Sequence, residues 1–138
     1  MLSLIIISGR SGSGKSTSLN VLEDSGYFCI DNLPVTLLTP LIQKLNDDEK
    51  IDKAAVSIDA RNISKDLALF PSFWERLKKS DLSPLIIFLD STSDTLVKRF
   101  SETRRKHPLS SKERGLKEAL DLESSLLDPI SELAALTI

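Results

Sequence analysis

The sequence predicts an α/β domain built as a doubly wound parallel sheet with helices on both faces. Short apolar runs alternate along the chain with segments whose apolar residues recur at helical spacing, and this alternation is typical of strand–helix–strand units. The first apolar run is rich in isoleucine, as expected for a strand that is covered on both faces. A length of 138 residues fits one domain with about five strands.

Each element follows from its apolar residues and from the turn formers beside it. Gly26 ends the first helix, Pro108 ends a helix with a basic end, and Asp128 is expected to cap a short last helix. The predicted strands are 2–8, 27–30, 54–58, 85–89 and a buried strand at the end of 132–138. The predicted helices are 16–24, 35–45, 71–79, 93–107, 115–127 and a short one that begins at 128.

Composition and charge exclude several classes of protein. The hydrophobic share of 41% and the charged share of 28% suit a soluble globular protein rather than a disordered or fibrous one. The net charge of -2 gives the chain no overall basic character. A single cysteine, Cys29, excludes an internal disulfide framework and favours a reducing compartment. Because neither a membrane-spanning run nor an export signal is recognisable, we expect a cytoplasmic protein without a membrane partner.

A phosphate-binding motif follows the first predicted strand. Residues 9–16 match G-x-x-x-x-G-K-[ST] at every fixed position. Glycines let such a loop curl until its N–H groups point at phosphate oxygens, and the next helix N-terminus favours the same anion. Lys15 is the candidate catalytic residue because its ammonium reaches β- and γ-phosphates, and Ser16 is a candidate Mg²⁺ ligand. The residues expected to bind a nucleoside triphosphate are Gly9, Arg10, Ser11, Gly12, Ser13, Gly14, Lys15, Ser16 and Thr17.

Three aspartates qualify as the carboxylate partner of a Mg²⁺–nucleotide site. Asp31, Asp59 and Asp90 each follow an apolar run, and the ends of parallel strands converge on the loop. Spacing alone does not choose among them, since each could instead cap the next segment. Asp59 is favoured as the metal partner because Arg61 and Asn62 follow it with polar groups for a base or phosphate. Asp31 lies in a more turn-like sequence, where a second group could bind.

A basic run stands out in an otherwise acidic chain. Residues 98–106 hold five lysines and arginines against one glutamate, a local charge of +4. Arg104 and Arg105 could neutralise charge on the γ-phosphate, contact RNA phosphates, or form a solvated helix face. The run lacks the interleaved aromatic residues of single-strand readers. His107 is typical of a surface histidine, and Cys29 of an inert buried thiol.

Five segments of the chain resemble one family. Residues 8–17 contain the phosphate-binding motif, and 27–34 (Tyr-Phe-Cys-Ile-Asp-Asn-Leu-Pro), 57–62 (Ser-Ile-Asp-Ala-Arg-Asn), 88–90 and 99–111 follow it. In this order they resemble the RapZ/YvcJ family of nucleotide-binding proteins. The Asp-Asn-Leu-Pro and Thr-Arg-Arg-x-His-Pro-Leu sequences are far more particular to that family than the phosphate-binding motif.

The resemblance implies a P-loop NTPase-like fold, ATP at residues 9–16, Mg²⁺, and GTP contacts from Asp59, Ala60, Arg61 and Asn62. Valine is common in the family at the position of Ala60. The resemblance also implies the role of an RNase adapter, a protein that presents a small regulatory RNA to RNase E and so controls glucosamine-6-phosphate synthase production. It implies at most slow hydrolysis of ATP or GTP. The full-length family is expected to be oligomeric. Its proteins are about twice this length and bind RNA through their C-terminal half, so residues 1–138 are expected to be the N-terminal nucleotide-binding domain.

A small-molecule kinase is the alternative function. A phosphate-binding loop, a short α/β core and a late arginine cluster also describe nucleoside- and shikimate-type kinases, although this argument is fold analogy. A kinase needs an acceptor pocket with a base, for which the sequence offers Asp31 or Asp90. A nucleotide-gated oligomerisation domain is the third interpretation. Phosphoryl transfer to a metabolite, compared with transfer to water, separates the kinase from the adapter.

Overall fold

The computed structural model describes residues 2–10, 14–48, 50–59, 64–79, 83–89 and 116–137. Its strands are β1 (Ser3–Gly9), β2 (Phe28–Ile30), β3 (Lys53–Ser57), β4 (Ser83–Leu89) and β5 (Leu136–Thr137). Its helices are α1 (Lys15–Asp24), α2 (Leu38–Asn46), α3 (Ser64–Ala68), α4 (Phe70–Lys79) and α5 (Leu116–Ser131), with a 3₁₀ turn at Val35–Leu37. The strands form one sheet in the order β2-β3-β1-β4-β5, and every neighbouring pair is parallel.

Strand β1 lies at the centre of the sheet, between β3 and β4. Its Ile5 is opposite Ala55 on one side and Leu85 on the other. Successive side chains of a strand point to opposite faces. Accordingly Ile6 is buried in one hydrophobic cluster and Ile7 in another. The isoleucine-rich run therefore forms a strand covered on both faces, as predicted.

Helices pack against both faces of the sheet, so the doubly wound α/β prediction is confirmed. On one face, Leu19 of α1 packs with Ile7, Ala55 and Leu89. The other face carries the larger cluster, which takes its helical residues from α2, α3, α4 and α5. The buried side chains that these four helices contribute to the larger cluster are Leu38, Ile42, Leu45, Leu67, Phe70, Trp74, Leu77, Leu127 and Ile130. Within the described residues, no helix combines the length and apolar character that crossing a membrane requires.

The C-terminal part differs from the prediction in two ways. One helix, α5, continues through Pro129, where the sequence predicted a break and a new cap at Asp128. Leu127 and Ile130 are fully buried in the larger cluster, and this packing outweighs the hydrogen bond that a proline cannot donate. The last strand was predicted to be buried, but β5 pairs with β4 at the edge of the described sheet, and Leu136 is 50% exposed.

One observed helix was not predicted, and one predicted helix lies where the structure is not described. Helix α3 was not predicted, because Ser64–Ala68 is little more than one turn and contributes one buried apolar side chain, Leu67. The helix predicted over 93–107 lies outside the described residues. The remaining helices and strands agree with the predicted ones to within one or two residues at most ends, the usual scatter of element boundaries.

Candidate phosphate-binding site

The phosphate-binding motif joins the end of β1 to the start of α1. Gly9 is the last residue of β1, and Gly14 is the N-cap of α1 with φ 103° and ψ 19°. An L residue with a Cβ adopts this left-handed backbone conformation only with strain. A Cβ added at Gly14 would meet none of the described residues within 4 Å, so the backbone conformation is the observed reason for glycine there. The predicted binding residues Ser11, Gly12 and Ser13 lie outside the described part of the chain.

Lys15 folds back onto the loop that precedes it. Its Nζ donates to the carbonyl oxygen of Gly9 at 2.7 Å and to that of Arg10 at 3.2 Å. Lys15 is only 8% exposed, although it is the first residue of α1. Hydrogen bonds from a charged donor are the stronger class, so the ammonium fixes the first part of the loop. A positive charge is thereby held beside the loop backbone, where a phosphate group would bind.

The first turn of α1 provides a second feature that favours an anion. The carbonyl of Gly14 accepts the N–H of Ser18 at 3.0 Å, which makes Gly14 the start of the helical hydrogen-bond ladder. The helix itself supplies no acceptor for the N–H groups of Ser16 and Thr17, and its dipole is positive at this end. Both side chains are exposed, and the first turn contains no acidic residue. A phosphate would therefore meet no competing carboxylate from this turn.

Asp31, one of the three candidate aspartates, contacts the phosphate-binding motif. Its Oδ2 accepts a hydrogen bond from Ser16 Oγ at 3.4 Å. Its Oδ1 accepts a hydrogen bond from Ser57 Oγ, and Ser57 Oγ in turn accepts the N–H of Asn32 at 2.6 Å. Asn32 itself has a φ of 56°, so the chain turns sharply after β2. The sequence correctly indicated a turn here but did not predict the contact with Ser16.

Asp59 is the second residue after β3 and is 2% exposed. The end of β3 is fixed to β1, because the N–H of Ile58 donates to Ile7 O at 3.0 Å and Ser8 Oγ donates to Ile58 O at 2.6 Å. Asp59 and Asp31 therefore both stand at the sheet edge that carries the phosphate-binding motif, as parallel strands require. Three of the predicted GTP-contacting residues, Ala60, Arg61 and Asn62, lie outside the described residues, as do Asp90, Arg104, Arg105 and His107.

Sequence reasoning missed the roles of Ser8 and Ser57. Both side chains are fully buried at the ends of central strands, and both hydroxyls hold a neighbouring strand end in place. A buried hydroxyl needs a hydrogen-bond partner. A serine that interrupts the apolar end of a buried strand is therefore the signal by which these two residues could have been found.

Cys29 is half-buried, whereas the sequence indicated a buried thiol, because β2 is an edge strand of the described sheet. Burial, and then the negative charge of Glu23, raises the pKa of the Cys29 thiol above its ordinary value. Its Sγ lies 3.4 Å from Leu19 O and 3.6 Å from Tyr27 O, both acceptors that favour the protonated form. A thiol held in this state is a weaker nucleophile and metal ligand than an ordinary cysteine, because less of it is ionised at neutral pH.

The arrangement has the chemistry of a polyphosphate–metal site. Lys15 and the first N–H groups of α1 are the positively polarised groups that an anion would meet. The Ser16 hydroxyl and the Asp31 and Asp59 carboxylates, at the same edge of the sheet, are the hard oxygen donors that Mg²⁺ takes. Within the described residues, histidines, cysteines and carboxylates form no group of three that could enclose a metal. Because Mg²⁺ takes six oxygen ligands, a cation bound by Ser16 and these carboxylates would leave positions for phosphate oxygens and water.

Comparison with known sequences identifies the family. The RapZ-like N-terminal domain matches residues 2–138. A nucleotide-binding protein of Hahella chejuensis is 57% identical over 139 residues, which cover 99% of this chain and 49% of the relative. A nucleotide-binding protein of Marinobacter nauticus is 51% identical over 140 residues, with 99% and 48% covered. The chain thus spans about half the length of these curated relatives.

Solved structures show the same fold. The shikimate kinase of Acinetobacter baumannii in complex with shikimate has a TM-score of 0.59 at 18% identity, covering 100% of this chain and 83% of the kinase. A gluconokinase of Sinorhizobium meliloti 1021 has a TM-score of 0.57 at 20% identity, with 99% and 81% covered. At such low identity the likeness establishes a P-loop NTPase-like α/β fold and nothing further. The family match over residues 2–138 places the chain in the RapZ-like N-terminal domain family.

Proposed function

We propose that this chain is the nucleotide-binding domain of a regulatory protein and binds ATP or GTP through the loop between β1 and α1. The observation that carries the proposal is the buried Lys15 ammonium, which lies against the carbonyls of Gly9 and Arg10 at the start of α1. Curated relatives at 51–57% identity bear the name nucleotide-binding protein, which supports the same function. The proposed phosphate-binding residues are Gly9, Arg10, Ser11, Gly12, Ser13, Gly14, Lys15, Ser16 and Thr17.

Each group in the site has a separate task in this proposal. Lys15 contacts the β- and γ-phosphates as a positive charge, and the N–H groups of the first turn of α1 bind phosphate oxygens. Ser16 and Asp59 act on the metal side, where Mg²⁺ neutralises phosphate charge when it is bound. Asp59, Ala60, Arg61 and Asn62 contact the rest of the nucleotide. Hydrolysis is slow, and bound nucleotide serves mainly as a regulatory signal.

The regulatory role that we propose is that of an RNase adapter. The full-length protein would present a small RNA to RNase E, control glucosamine-6-phosphate synthase production and act as an oligomer. This chain covers about half of its curated relatives and has a net charge of -2. An acidic domain of this kind suits nucleotide binding better than the neutralisation of RNA phosphates, so we assign the RNA contact to the remaining half. RNA binding by the full-length protein should then change with bound nucleotide, and its independence from nucleotide would contradict the adapter role.

A fluorescent ATP or GTP analogue, titrated into the purified protein with Mg²⁺, tests the nucleotide site. Lys15→Ala should weaken binding at least about tenfold, since it removes a charge-assisted phosphate contact. Lys44→Ala is the matched control, because Lys44 is an exposed lysine of α2. Thermal unfolding of both variants separates lost binding from lost folding. Equal affinity of a folded Lys15→Ala protein and the wild type would refute the site.

A small-molecule kinase remains the second candidate, and the position of Asp31 favours it. An exposed carboxylate beside Ser16 is suitably placed to accept a proton from an acceptor hydroxyl. The two functions differ in where the γ-phosphoryl group goes. Radiolabelled ATP and a pool of small hydroxylated metabolites distinguish them: the adapter releases inorganic phosphate slowly, whereas the kinase labels a metabolite far faster than it releases phosphate.

A further inference from the structure

We propose that Asp31 is the carboxylate that meets nucleotide-bound Mg²⁺ beside Ser16, and that Ser57 positions it. This inference rests on the proposed nucleotide binding and adds a residue to the metal side of that site. It begins from the approach of Asp31 Oδ2 to Ser16 Oγ at 3.4 Å. Hydroxyl–carboxylate hydrogen bonds are usually about 2.7 Å long, so the two oxygens hold each other loosely.

The spacing of these two oxygens suits a shared cation. Mg²⁺ binds oxygens at about 2.0–2.1 Å in octahedral geometry, which places adjacent ligand oxygens about 2.9 Å apart. Asp31 Oδ2 and Ser16 Oγ therefore lie about half an ångström further apart than joint ligation requires. Rotation of the exposed Ser16 side chain can supply that shift. A small rearrangement thus exchanges a weak hydrogen bond for two bonds to the cation.

Ser57 holds the Asp31 carboxylate ready for this task. Its hydroxyl donates to Asp31 Oδ1 and accepts the N–H of Asn32 at 2.6 Å, while its carbonyl accepts the N–H of Leu33 at 2.8 Å. Three consecutive residues after β2 are in this way attached to the last residue of β3. Because Oδ1 is engaged by Ser57, the carboxylate is oriented with Oδ2 towards Ser16. The side-chain entropy that a free aspartate would lose on binding Mg²⁺ is already lost here.

Exposure distinguishes Asp31 from Asp59. Mg²⁺ gives up its water ligands reluctantly and keeps several of them in protein sites. Asp31 is exposed, whereas Asp59 is 2% exposed. A cation on the phosphates that keeps some of its water ligands can therefore reach Asp31 more easily than the buried Asp59. Asp31 is accordingly the carboxylate that the metal reaches more easily, whether or not Asp59 also binds it.

The test compares nucleotide affinity in Mg²⁺ with affinity in EDTA. In the wild type we expect Mg²⁺ to tighten binding about tenfold, within the usual range of coupling between two ligands. Asp31→Asn should reduce that Mg²⁺/EDTA ratio to below about threefold and leave the affinity in EDTA within about twofold. Asp24→Asn is the matched control, since it removes the same charge from an exposed position at the far end of α1. Its ratio should equal that of the wild type.

Ser57 is tested as a positioning residue by the same ratio. Ser57→Ala should lower the Mg²⁺/EDTA ratio by an intermediate amount, and Ser57→Thr should restore it because the hydroxyl returns. Mn²⁺ electron paramagnetic resonance of the nucleotide complex supplies a direct readout of the metal. Asp31→Asn should weaken Mn²⁺ retention in that complex several-fold.

The outcomes separate this inference from the proposed function. If the wild type binds nucleotide and Lys15→Ala does not, but Asp31→Asn keeps the wild-type ratio and Mn²⁺ retention, the assignment of Asp31 is overturned and the nucleotide site stands. If neither the wild type nor Lys15→Ala binds nucleotide, both proposals fail. If Asp31→Asn does not fold, the ratio in Ser57→Ala decides: an unchanged ratio overturns the assignment.

Discussion

The turn after β2 should be more sensitive to the backbone of residue 32 than to its side chain. Asn32 has a φ of 56°, a left-handed conformation that costs most residues with a Cβ about 1–2 kcal/mol. Asparagine tolerates it better than other such residues, and glycine adopts it without strain. Asn32→Ala should therefore lower the free energy of unfolding by about 1 kcal/mol, whereas Asn32→Gly should change it by less than about 0.5 kcal/mol.

The hydrogen bonds of the turn set the upper limit of the Asn32→Ala effect. The N–H of Asn32 donates to Ser57 Oγ at 2.6 Å and the N–H of Leu33 to Ser57 O at 2.8 Å. If alanine abandons the left-handed conformation, both bonds break, and each contributes about 1 kcal/mol net. The total loss then reaches about 2 kcal/mol, since the backbone strain is relieved when the left-handed conformation is abandoned, and Asp31 also moves away from Ser16.

Denaturant unfolding, together with thermal unfolding followed by circular dichroism, measures this prediction. For a chain of this size, 1 kcal/mol corresponds to a fall in Tm of about 4 °C. Asn32→Ala should show at least this fall and a smaller effect of Mg²⁺ on nucleotide affinity, whereas Asn32→Gly should keep both near the wild type. An alanine variant as stable as the glycine variant would show that the left-handed backbone carries no strain, and the reasoning would be wrong.

Two further predictions concern Gly14 and Cys29. Gly14→Ala should weaken nucleotide binding about fivefold in the titration, because strain of about 1 kcal/mol falls on the loop itself. Gly26→Ala, at φ 96°, is the control: it should lower Tm as much as Gly14→Ala does but leave nucleotide affinity unchanged. Equal losses of affinity in the two variants would contradict the assignment of the strain to the loop. Alkylation of Cys29 should be slower at pH 8 than that of a free thiol, because burial and Glu23 raise its pKa. As pH rises above the ordinary thiol pKa of about 8.5, the unfolded thiol ionises before the folded one, so Cys29 lowers the free energy of unfolding there. Cys29→Ser should remove this decrease of stability with pH. Alkylation of the folded protein as fast as that of a free thiol would refute the raised pKa.

Most of the fold, and the phosphate-binding loop, could be predicted from local sequence patterns. The consecutive isoleucines of β1 predict a strand buried on both faces, and the strand is found there. Gly14 and Lys15 are neighbours in the motif, so the left-handed N-cap and the start of α1 depend on a few adjacent residues. Such features depend on residues that are close together in the sequence, and sequence patterns are informative over this short range.

The partners of Asp31 could not be predicted, because they depend on strand order and register. Ser16 and Ser57 are 15 and 26 residues away from Asp31. They meet it only because β2 lies beside β3 with Ile30 opposite Val56. A shift of one residue in that register would turn the alternate side chains to the other face. Asp31 and Asp59 both follow apolar runs, so the sequence could not reveal which carboxylate contacts Ser16.

The serines at the ends of the central strands connect the phosphate side of the site to its metal side. Ser8, just before the loop, bonds the end of β3, and Ser57 at that same end bonds Asp31. Asp31 in turn contacts Ser16 in the first turn of α1, whose preceding residue, Lys15, bonds back to Gly9. The contacts therefore close a ring through β1, β3, the turn after β2 and α1. Because hydrogen bonds in such a network reinforce one another, phosphate at the loop and a cation at Asp31 act on the same strand ends, and each should favour the geometry that binds the other.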